Sequence, residues 1–163
     1  MRKIKLEKLT KSAFAPFGEY YDFSKPSGYT LDGELHNFYP DRLSAYFGKN
    51  VGFSPLVVKK PDEMKITQAE YHTTTCEILF PLTDDMILHV APPSNGKPVP
   101  EHTKAFLVPK NTMVKLNACV WHLAPLPAKK DNITVMVVLP ECTYINDCTV
   151  VNLKEDEQFI IEK

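Results

Sequence analysis

The chain has 163 residues, which is the size of one domain with a single hydrophobic core. Its 19 lysines and arginines nearly balance its 20 aspartates and glutamates, and the net charge of -1 excludes a polybasic nucleic-acid-binding protein. Hydrophobic residues make up 44% of the sequence and charged residues 24%, a composition that excludes an intrinsically disordered chain. We therefore expect one globular domain over residues 1–163 that binds no nucleic acid.

The sequence also carries predictions about the compartment. Residues 1–11 are rich in charge and contain no apolar stretch of the kind found in secretory signals, so we expect a cytoplasmic protein. No run of about 18 apolar residues occurs, so we expect no membrane partner. The four cysteines form neither a CxxC pair nor a zinc-ribbon spacing, and we expect them to be reduced thiols that mostly pack against strands.

A short helix is predicted near the start of the chain, within residues 9–18. Thr10 or Ser12 can cap its first turn, and the following proline and glycine would end it. Residues 22–37 are polar and contain proline and glycine, and they are predicted to be a loop.

Short strands separated by turn residues dominate the rest of the chain. The predicted strands cover residues 43–47, 56–60, 64–75, 77–82, 86–91, 105–109, 113–116 and 134–139. The last of these is apolar on both faces, which is typical of a strand in the middle of a sandwich or barrel. This spacing predicts a closed or sandwiched antiparallel architecture. The charged tail, residues 152–163, fits an edge strand, a helix or an arm that binds a partner.

One constellation of acids and histidines is suited to chemistry. Glu70, His72 and Glu77 lie within eight residues of one another, and His122 follows much later in the chain. If the four converge in a barrel, they would suit one divalent metal ion such as Zn, Mn, Fe or Ni. Without a metal, they would form an acid–base cluster.

Strand geometry restricts how this constellation can assemble. Glu70 and His72 alternate onto the same face of a strand, whereas Glu77 lies an odd number of residues from His72. A turn or bulge within residues 73–76 is therefore required to bring Glu77 back. The simpler alternative for any one such histidine is a surface residue or a hydrogen-bonded core residue.

The order of these residues resembles the metal-site motifs of the cupin superfamily. Glu70 takes the place of the first histidine of the cupin motif, and His72, Glu77 and His122 follow at the matching positions. In the second motif, cupins usually have Gly, Pro and Gly where this chain has Asn111, Asn117 and Cys119. The resemblance implies an all-β protein, a cupin-type double-stranded β-helix (a jelly-roll barrel), with the short N-terminal helix added.

A second resemblance, over most of the chain, is narrower. It is carried by Phe-Ala-Pro-Phe-Gly at 14–18, Glu-x-His at 70–72, Val-Ala-Pro at 90–92, Lys-Ala-Phe at 104–106 and Trp-His at 121–122. In these segments the chain resembles the ureidoglycolate lyase family. It departs from that family at Glu77, where the lyases usually have Gln, and at residues 139–140, where Leu-Pro replaces Asp-Arg.

This resemblance implies cleavage of ureidoglycolate, a carbinolamide, into glyoxylate and urea. The reaction needs a base at the hydroxyl group and an acid at the departing nitrogen, and His72 and His122 suit these tasks because imidazole titrates near neutral pH. Glu70 and Glu77 would orient or share those protons, or bind a metal ion together with the histidines.

Three further residues are predicted to bind the substrate. Arg42 would pair with the substrate carboxylate, although a surface ion pair with Asp41 is an equally good interpretation. Lys104 would reach an anionic ligand unless it is simply exposed. Trp121 would line the site beside His122, either as a wall of packing or as a platform for the substrate.

Two other functions remain open from the sequence. One is a metal-dependent cupin enzyme acting on a carbohydrate or another small oxygenated acid, and the other is a non-enzymatic cupin that binds a metabolite. In each case the partner is a small molecule. We also expect a homodimer, as the lyase resemblance implies, with residues 4–9 or 159–161 crossing to the partner; alternatively, both ends fold back on their own barrel.

Overall fold

The computed structural model describes residues 1–162, which form an all-β protein with two short α-helices. No helix in this part of the chain is both long enough and apolar enough to cross a membrane. The helices are α1 (Lys11–Phe14) and α2 (Thr143–Asn146). The strands are β1 (Arg2–Lys8), β2 (Gly18–Asp22), β3 (Leu31–Gly33), β4 (His36–Phe38), β5 (Val51–Lys59), β6 (Lys65–Ile66), β7 (Gln68–Tyr71), β8 (Glu77–Pro81), β9 (Met86–Val90), β10 (Lys104–Val108), β11 (Thr112–Leu116), β12 (Leu126–Pro127), β13 (Asn132–Pro140), β14 (Thr149–Asn152) and β15 (Phe159–Glu162).

Two large sheets face each other across the main core. The six-stranded sheet has the order β12-β9-β10-β1-β15-β6, and the five-stranded sheet has the order β2-β11-β8-β13-β5. Leu88 and Phe106 of the first sheet pack in one buried cluster with Leu79, Val114 and Val135 of the second. This arrangement confirms the predicted cupin-type jelly-roll barrel.

Strands β9 and β10 of the six-stranded sheet are buried on both faces. On β9, Leu88 belongs to the main core while its neighbour Ile87 belongs to a second cluster, and Phe106 and Ala105 of β10 divide in the same way. Successive side chains of a strand point to opposite faces, so the second cluster covers the outer face of this sheet. Residues from both ends of the chain, including Ile4 and Phe159, complete it.

The predicted N-terminal helix is present as α1, one turn long. Its cap is Thr10, whose side chain accepts a hydrogen bond from the backbone N–H of Ala13 at 3.3 Å. Phe14 is fully buried and packs in the main core. Gly18 then begins β2 with φ +154°, and a Cβ atom there would lie 1.9 Å from the carbonyl oxygen of Lys115. Only glycine allows β2 to approach β11 this closely.

The two ends of the chain lie side by side. β1 pairs in parallel with both β10 and β15, so it occupies the middle of the six-stranded sheet. Of the two arrangements considered for the ends, the structure has the one in which both fold back on their own barrel. The tail is an edge-proximal strand that also pairs with β6.

Several element predictions were wrong in detail. Residues 43–47 were predicted to be a strand but adopt no regular structure, and residues 22–37, predicted to be a loop, contain β3 and form a hairpin with β4. The predicted strand 64–75 is divided into β6, β7 and a turn. Apolar residues alone do not make a strand where no neighbour offers backbone hydrogen bonds, and 43–47 lacks such a neighbour among the described strands.

The second cupin motif matches in its backbone conformation although its residues differ. Asn111 has φ +64° and Cys119 has φ +65°, the left-handed conformation that glycine adopts most easily. Both positions are those at which cupins usually have glycine. Asn111 and Cys119 thus adopt a left-handed conformation without being glycine.

Candidate metal and active site

The turn between β7 and β8 decides which way Glu77 points. Asp147, which follows α2, places its carboxylate against this turn and accepts three hydrogen bonds: from the backbone N–H of Thr73 at 2.7 Å, from that of Thr74 at 2.8 Å and from the Thr74 hydroxyl at 2.6 Å. The reversal of direction that the sequence required within residues 73–76 is thus present. A residue far along the chain holds it in place.

Two histidines and a glutamate meet beyond this turn. Nε2 of His72 lies 3.2 Å from Oε2 of Glu77, and Nε2 of His122 lies 2.7 Å from the same oxygen atom. The imidazole rings are 5.4 Å apart. All three side chains are buried, which strengthens the electrostatic interactions between them.

The second nitrogen of each ring fixes its orientation. Nδ1 of His72 lies 2.6 Å from the backbone oxygen of Asp147, and Nδ1 of His122 lies 2.9 Å from that of Val120. A carbonyl oxygen only accepts hydrogen bonds, so both Nδ1 atoms carry a proton. Both Nε2 atoms therefore face one carboxylate oxygen, and each contact requires either a second proton on the ring or a cation between the atoms.

The pKa values of the three groups follow from this arrangement. Burial lowers the pKa of both histidines, but their contacts with Glu77 outweigh it, and the net pKa of each is raised. Burial also favours neutral Glu77, yet the charge and hydrogen bond of His122, with those of His72, bring the pKa of Glu77 down to about 2. Without a metal ion, Glu77 thus stays ionised, and its charge favours the protonated form of both histidines.

The same three side chains could hold a metal ion. One ligand atom from each of His72, Glu77 and His122 lies within 4.8 Å of the others. Nitrogen and carboxylate donors suit zinc, manganese, iron and nickel. Each histidine also donates its other N–H to a backbone carbonyl, the outer-shell contact that metal-bound histidines commonly make. The donor set therefore fits a divalent ion.

Glu70 lies beside this cluster but is not part of it. Its backbone pairs with that of His122, with N–H to O distances of 2.7 and 2.9 Å, so the two side chains leave neighbouring strands on the same face. Its carboxylate accepts a hydrogen bond from the thiol of Cys148 at 3.3 Å. Glu70 was predicted to be a fourth metal ligand, and in the structure it stands outside the three-residue group.

A cavity of about 380 Å³ opens next to the cluster. Glu70 and Glu77 contribute to its wall, together with the hydroxyl-bearing side chains of Ser54 and Tyr144, and the remainder is apolar. No lysine or arginine lines it within the described part of the chain. Burial, followed by the charges of Glu77 and Glu70, raises the pKa of Tyr144, so its hydroxyl stays protonated.

The three predicted substrate-binding residues lie elsewhere. Arg42 lines a separate cavity with Lys11 and donates a hydrogen bond from Nε to the backbone oxygen of Pro40 at 2.6 Å. Lys104 forms an ion pair with Glu7 at 3.2 Å. Neither lines the cavity formed by Glu70 and Glu77, because Arg42 lies in the irregular segment before β5 and Lys104 at the start of β10, each with a partner of its own.

Trp121 is a packing residue in the structure. It neighbours His122 in sequence, so its side chain leaves the strand on the opposite face. It is buried against Ala69, Ala91 and Tyr71, and its indole N–H donates to the hydroxyl of Ser94 at 2.9 Å. The platform role considered for Trp121 would require a different orientation.

The sequence did not point to Asp147, Cys148 or Tyr144. They lie in a polar segment after β13, where no spacing or motif distinguishes them from an ordinary surface turn. The one sequence feature that could have indicated them is that this segment directly follows β13, which is apolar on both faces. The segment therefore begins at one end of the barrel.

Comparisons with known proteins give a consistent result. A family model described as "Ureidoglycolate lyase" matches residues 1–162. A protein named ureidoglycolate lyase from Pseudomonas aeruginosa is 26% identical over 166 residues, covering 99% of this chain and 97% of the relative. Another, from Azotobacter vinelandii, is 26% identical and covers 100% of this chain and 99% of the relative. A third, from Mesorhizobium japonicum, is 29% identical over 83% of this chain and 86% of the relative.

Among solved structures, oxalate decarboxylase from Bacillus subtilis at pH 4.6 is similar, with a TM-score of 0.45 and 12% sequence identity. The match covers 64% of this chain and 24% of that protein, so this chain spans about a quarter of its length. The family model, by contrast, matches every residue that the structure describes. The chain belongs to the ureidoglycolate lyase family.

Proposed function

We propose that this protein cleaves ureidoglycolate into glyoxylate and urea, in the cavity beside His72, Glu77 and His122. The observation that carries the proposal is the buried His-Glu-His cluster, which lies next to a cavity of suitable size in a chain of this family. The relatives from Pseudomonas and Azotobacter carry the name of this activity and align along nearly their whole length.

The three clustered residues are proposed to hold one divalent ion of the Zn, Mn, Fe or Ni type. Support comes from the donor set and its orientation, because each Nδ1 donates to a backbone carbonyl and both Nε2 atoms point at Glu77, where an ion can take the place of the second ring protons. When bound, the ion supplies the positive charge that the substrate carboxylate needs and polarises the substrate hydroxyl. The cavity offers no lysine or arginine for the carboxylate within the described residues.

Glu70 is proposed to carry the proton. Its carboxylate lines the cavity and is not among the metal-binding group, so it is free to take the proton of the substrate hydroxyl. The electrons of that O–H bond form the carbonyl of glyoxylate as the C–N bond breaks, and Glu70 returns the proton to the departing urea nitrogen. The reaction then releases no net proton, and one residue serves as base and acid in turn.

We further propose that the enzyme is a cytoplasmic homodimer. Support for the dimer comes from β5, which pairs only with β13 among the described strands and exposes the side chains of Phe53 and Val57 on its outer face. An open edge strand with exposed apolar side chains is a common site of self-association.

The test is to incubate purified protein, stripped with a chelator and reloaded with each ion in turn, with ureidoglycolate, and to measure both products. We expect urea and glyoxylate in equal amounts with at least one ion. Glu70→Gln, which keeps the size of the side chain and removes its basicity, should lower kcat by about a hundredfold or more. Absence of both products with every ion would refute the proposal.

A further inference from the structure

Tyr144 lies at the wall of the cavity beside the candidate site. It lies in α2, lines the same cavity as Glu70 and Glu77, and its ring stands edge-on to that of His72 with 6.0 Å between the ring centres. Its side chain is 60% exposed, so a ligand entering the cavity can reach it. Its hydroxyl forms no hydrogen bond with any residue of the described chain.

The backbone around Tyr144 is fastened at both ends. Before it, the hydroxyl of Thr143 donates to the backbone oxygen of Pro140 at 2.7 Å. After it, Asp147 is held by the Thr73–Thr74 turn and by Nδ1 of His72. Because only a single helical turn separates these contacts, the position of Tyr144 is tied to that of His72. Because the backbone is held in this way, ligand binding has to order only the side chain of Tyr144, which limits the entropy cost.

The cavity wall presents a specific pattern of donors and acceptors. Glu70 is an acceptor, and its Oε2 already receives the thiol of Cys148, which leaves Oε1 to accept from a ligand. Tyr144 and Ser54 are the side chains in the wall that can donate. A ureido group has the complementary pattern, since its N–H groups donate and its carbonyl oxygen accepts.

We infer that Tyr144 is a substrate-binding residue that donates a hydrogen bond to the ureido carbonyl oxygen, opposite the N–H groups that face Glu70. This inference rests on the proposed function and assigns the recognition of its leaving group. Tyr144 thereby selects ureido compounds over simple hydroxy acids. A simple hydroxy acid has no ureido carbonyl to accept from Tyr144, so the discrimination resides in this one hydrogen bond.

The test uses N-carbamoylglycine, which has the ureido and carboxylate groups of the substrate but lacks the hydroxyl group and so cannot be cleaved. Binding of this probe and of glycolate to metal-loaded protein is measured by calorimetry. Tyr144→Phe keeps the ring and removes only the hydroxyl. We expect it to weaken binding of N-carbamoylglycine about tenfold and to leave glycolate binding within about twofold, the loss of one hydrogen bond.

The control variant is Ile145→Ala, which changes the next residue of the same helix, exposed and outside the cavity wall, and should bind both probes like the wild type. Equal effects of Tyr144→Phe on the two probes, no effect on either, a loss seen instead with Ser54→Ala, or failure of the wild type to bind N-carbamoylglycine would each overturn the inference. If wild-type protein binds this probe through Tyr144 but releases no urea from ureidoglycolate, the proposed function fails and the inference stands.

Discussion

Asp147 accepts a hydrogen bond from Nδ1 of His72 through its backbone oxygen at 2.6 Å, while its carboxylate holds the turn that follows His72. One residue therefore sets both the orientation of the His72 ring and the path of the chain to Glu77. His72 and the turn that follows it therefore both depend on the segment after β13, in which Asp147 lies.

Asp147→Ala should destabilise the fold and loosen the site together. It removes three hydrogen bonds to a charged acceptor, and we expect the free energy of unfolding to fall by about 2–4 kcal/mol. The backbone oxygen that accepts from Nδ1 of His72 remains in the variant, but it is no longer held in place by the carboxylate, so metal affinity should fall about tenfold. Denaturant unfolding and metal titration measure the two effects. Asp62→Ala, at an exposed position, is the control; equal behaviour of both variants would contradict the role of Asp147.

Glu77→Gln tests how much the negative charge of this side chain, apart from its shape, contributes to metal binding. The amide has nearly the same volume but no negative charge, so it is a weak ligand for a divalent ion and no longer raises the pKa of the two histidines. We expect metal affinity to fall more than tenfold, by about 1.4 kcal/mol or more. Competition with a chromogenic chelator measures this; unchanged affinity would show that the ion is bound elsewhere.

The stabilising contributions of Glu77, His72 and His122 to the metal-free protein should all be present between pH 4.5 and 6.5. Glu77 has a pKa lowered to about 2 in the folded state, so its contribution is complete above pH 4.5 and is lost as the pH falls toward 2. His72 and His122 have raised pKa values, so their contribution is complete below pH 6.5 and is lost as the pH rises through their folded-state values. Chemical denaturation across a range from acidic to alkaline pH measures the profile; stability that rises steadily above pH 6.5 would contradict the raised pKa values.

His89 lowers the stability of the protein at acidic pH. It is buried, its Nε2 has no hydrogen-bond partner within residues 1–162, and burial lowers its pKa to about 3. The unfolded chain binds a proton at this residue below pH 6.5 and the folded chain does not, so His89 destabilises the protein as the pH falls from 6.5 toward 3. His89→Leu should raise stability by about 1 kcal/mol at neutral pH and by more in mild acid. A stability difference that does not depend on pH would contradict this.

The sequence predicted the barrel well because alternating and two-faced apolar strands leave few other ways to bury a core. Leu88 and Val135 lie in the main core because of this pattern. The sequence predicted the strands less well where a strand depends on a neighbouring strand that is distant in sequence. Residues 43–47 have the composition of a strand without a neighbouring strand, and β1 is a strand only because β10 and β15 flank it.

The site shows the same division. His72 and Glu77 could be named because they lie close together in the sequence, and His122 because it stands at the matching later position of the cupin motif. Asp147 and Tyr144 could not, because their roles arise from where the chain after β13 returns to the barrel. Arg42 was selected because arginine is scarce in this chain, and scarcity gives no information about location.

The oligomeric state is a separate prediction. We expect light scattering at micromolar concentration to give about twice the monomer mass of 18.5 kDa. Placing lysines on the outer face of β5, by Phe53→Lys with Val57→Lys, should shift the protein to monomer, because the charges would have to be desolvated on association. The matched pair Lys5→Glu and Lys11→Glu, at exposed positions outside β5, is the control. A mass near 18.5 kDa for the wild type would refute the dimer.

The most direct test of the account is kcat/KM for urea release from ureidoglycolate by metal-loaded wild-type protein and by His122→Ala, with circular dichroism to confirm that the variant is folded. His122 is chosen because it contacts Glu77 most closely, at 2.7 Å, and comes from a part of the chain distant in sequence from His72. The account predicts measurable turnover by the wild type and a loss of about a thousandfold in the folded variant, within the range for residues that act directly in catalysis. Turnover by folded His122→Ala equal to that of the wild type would contradict it.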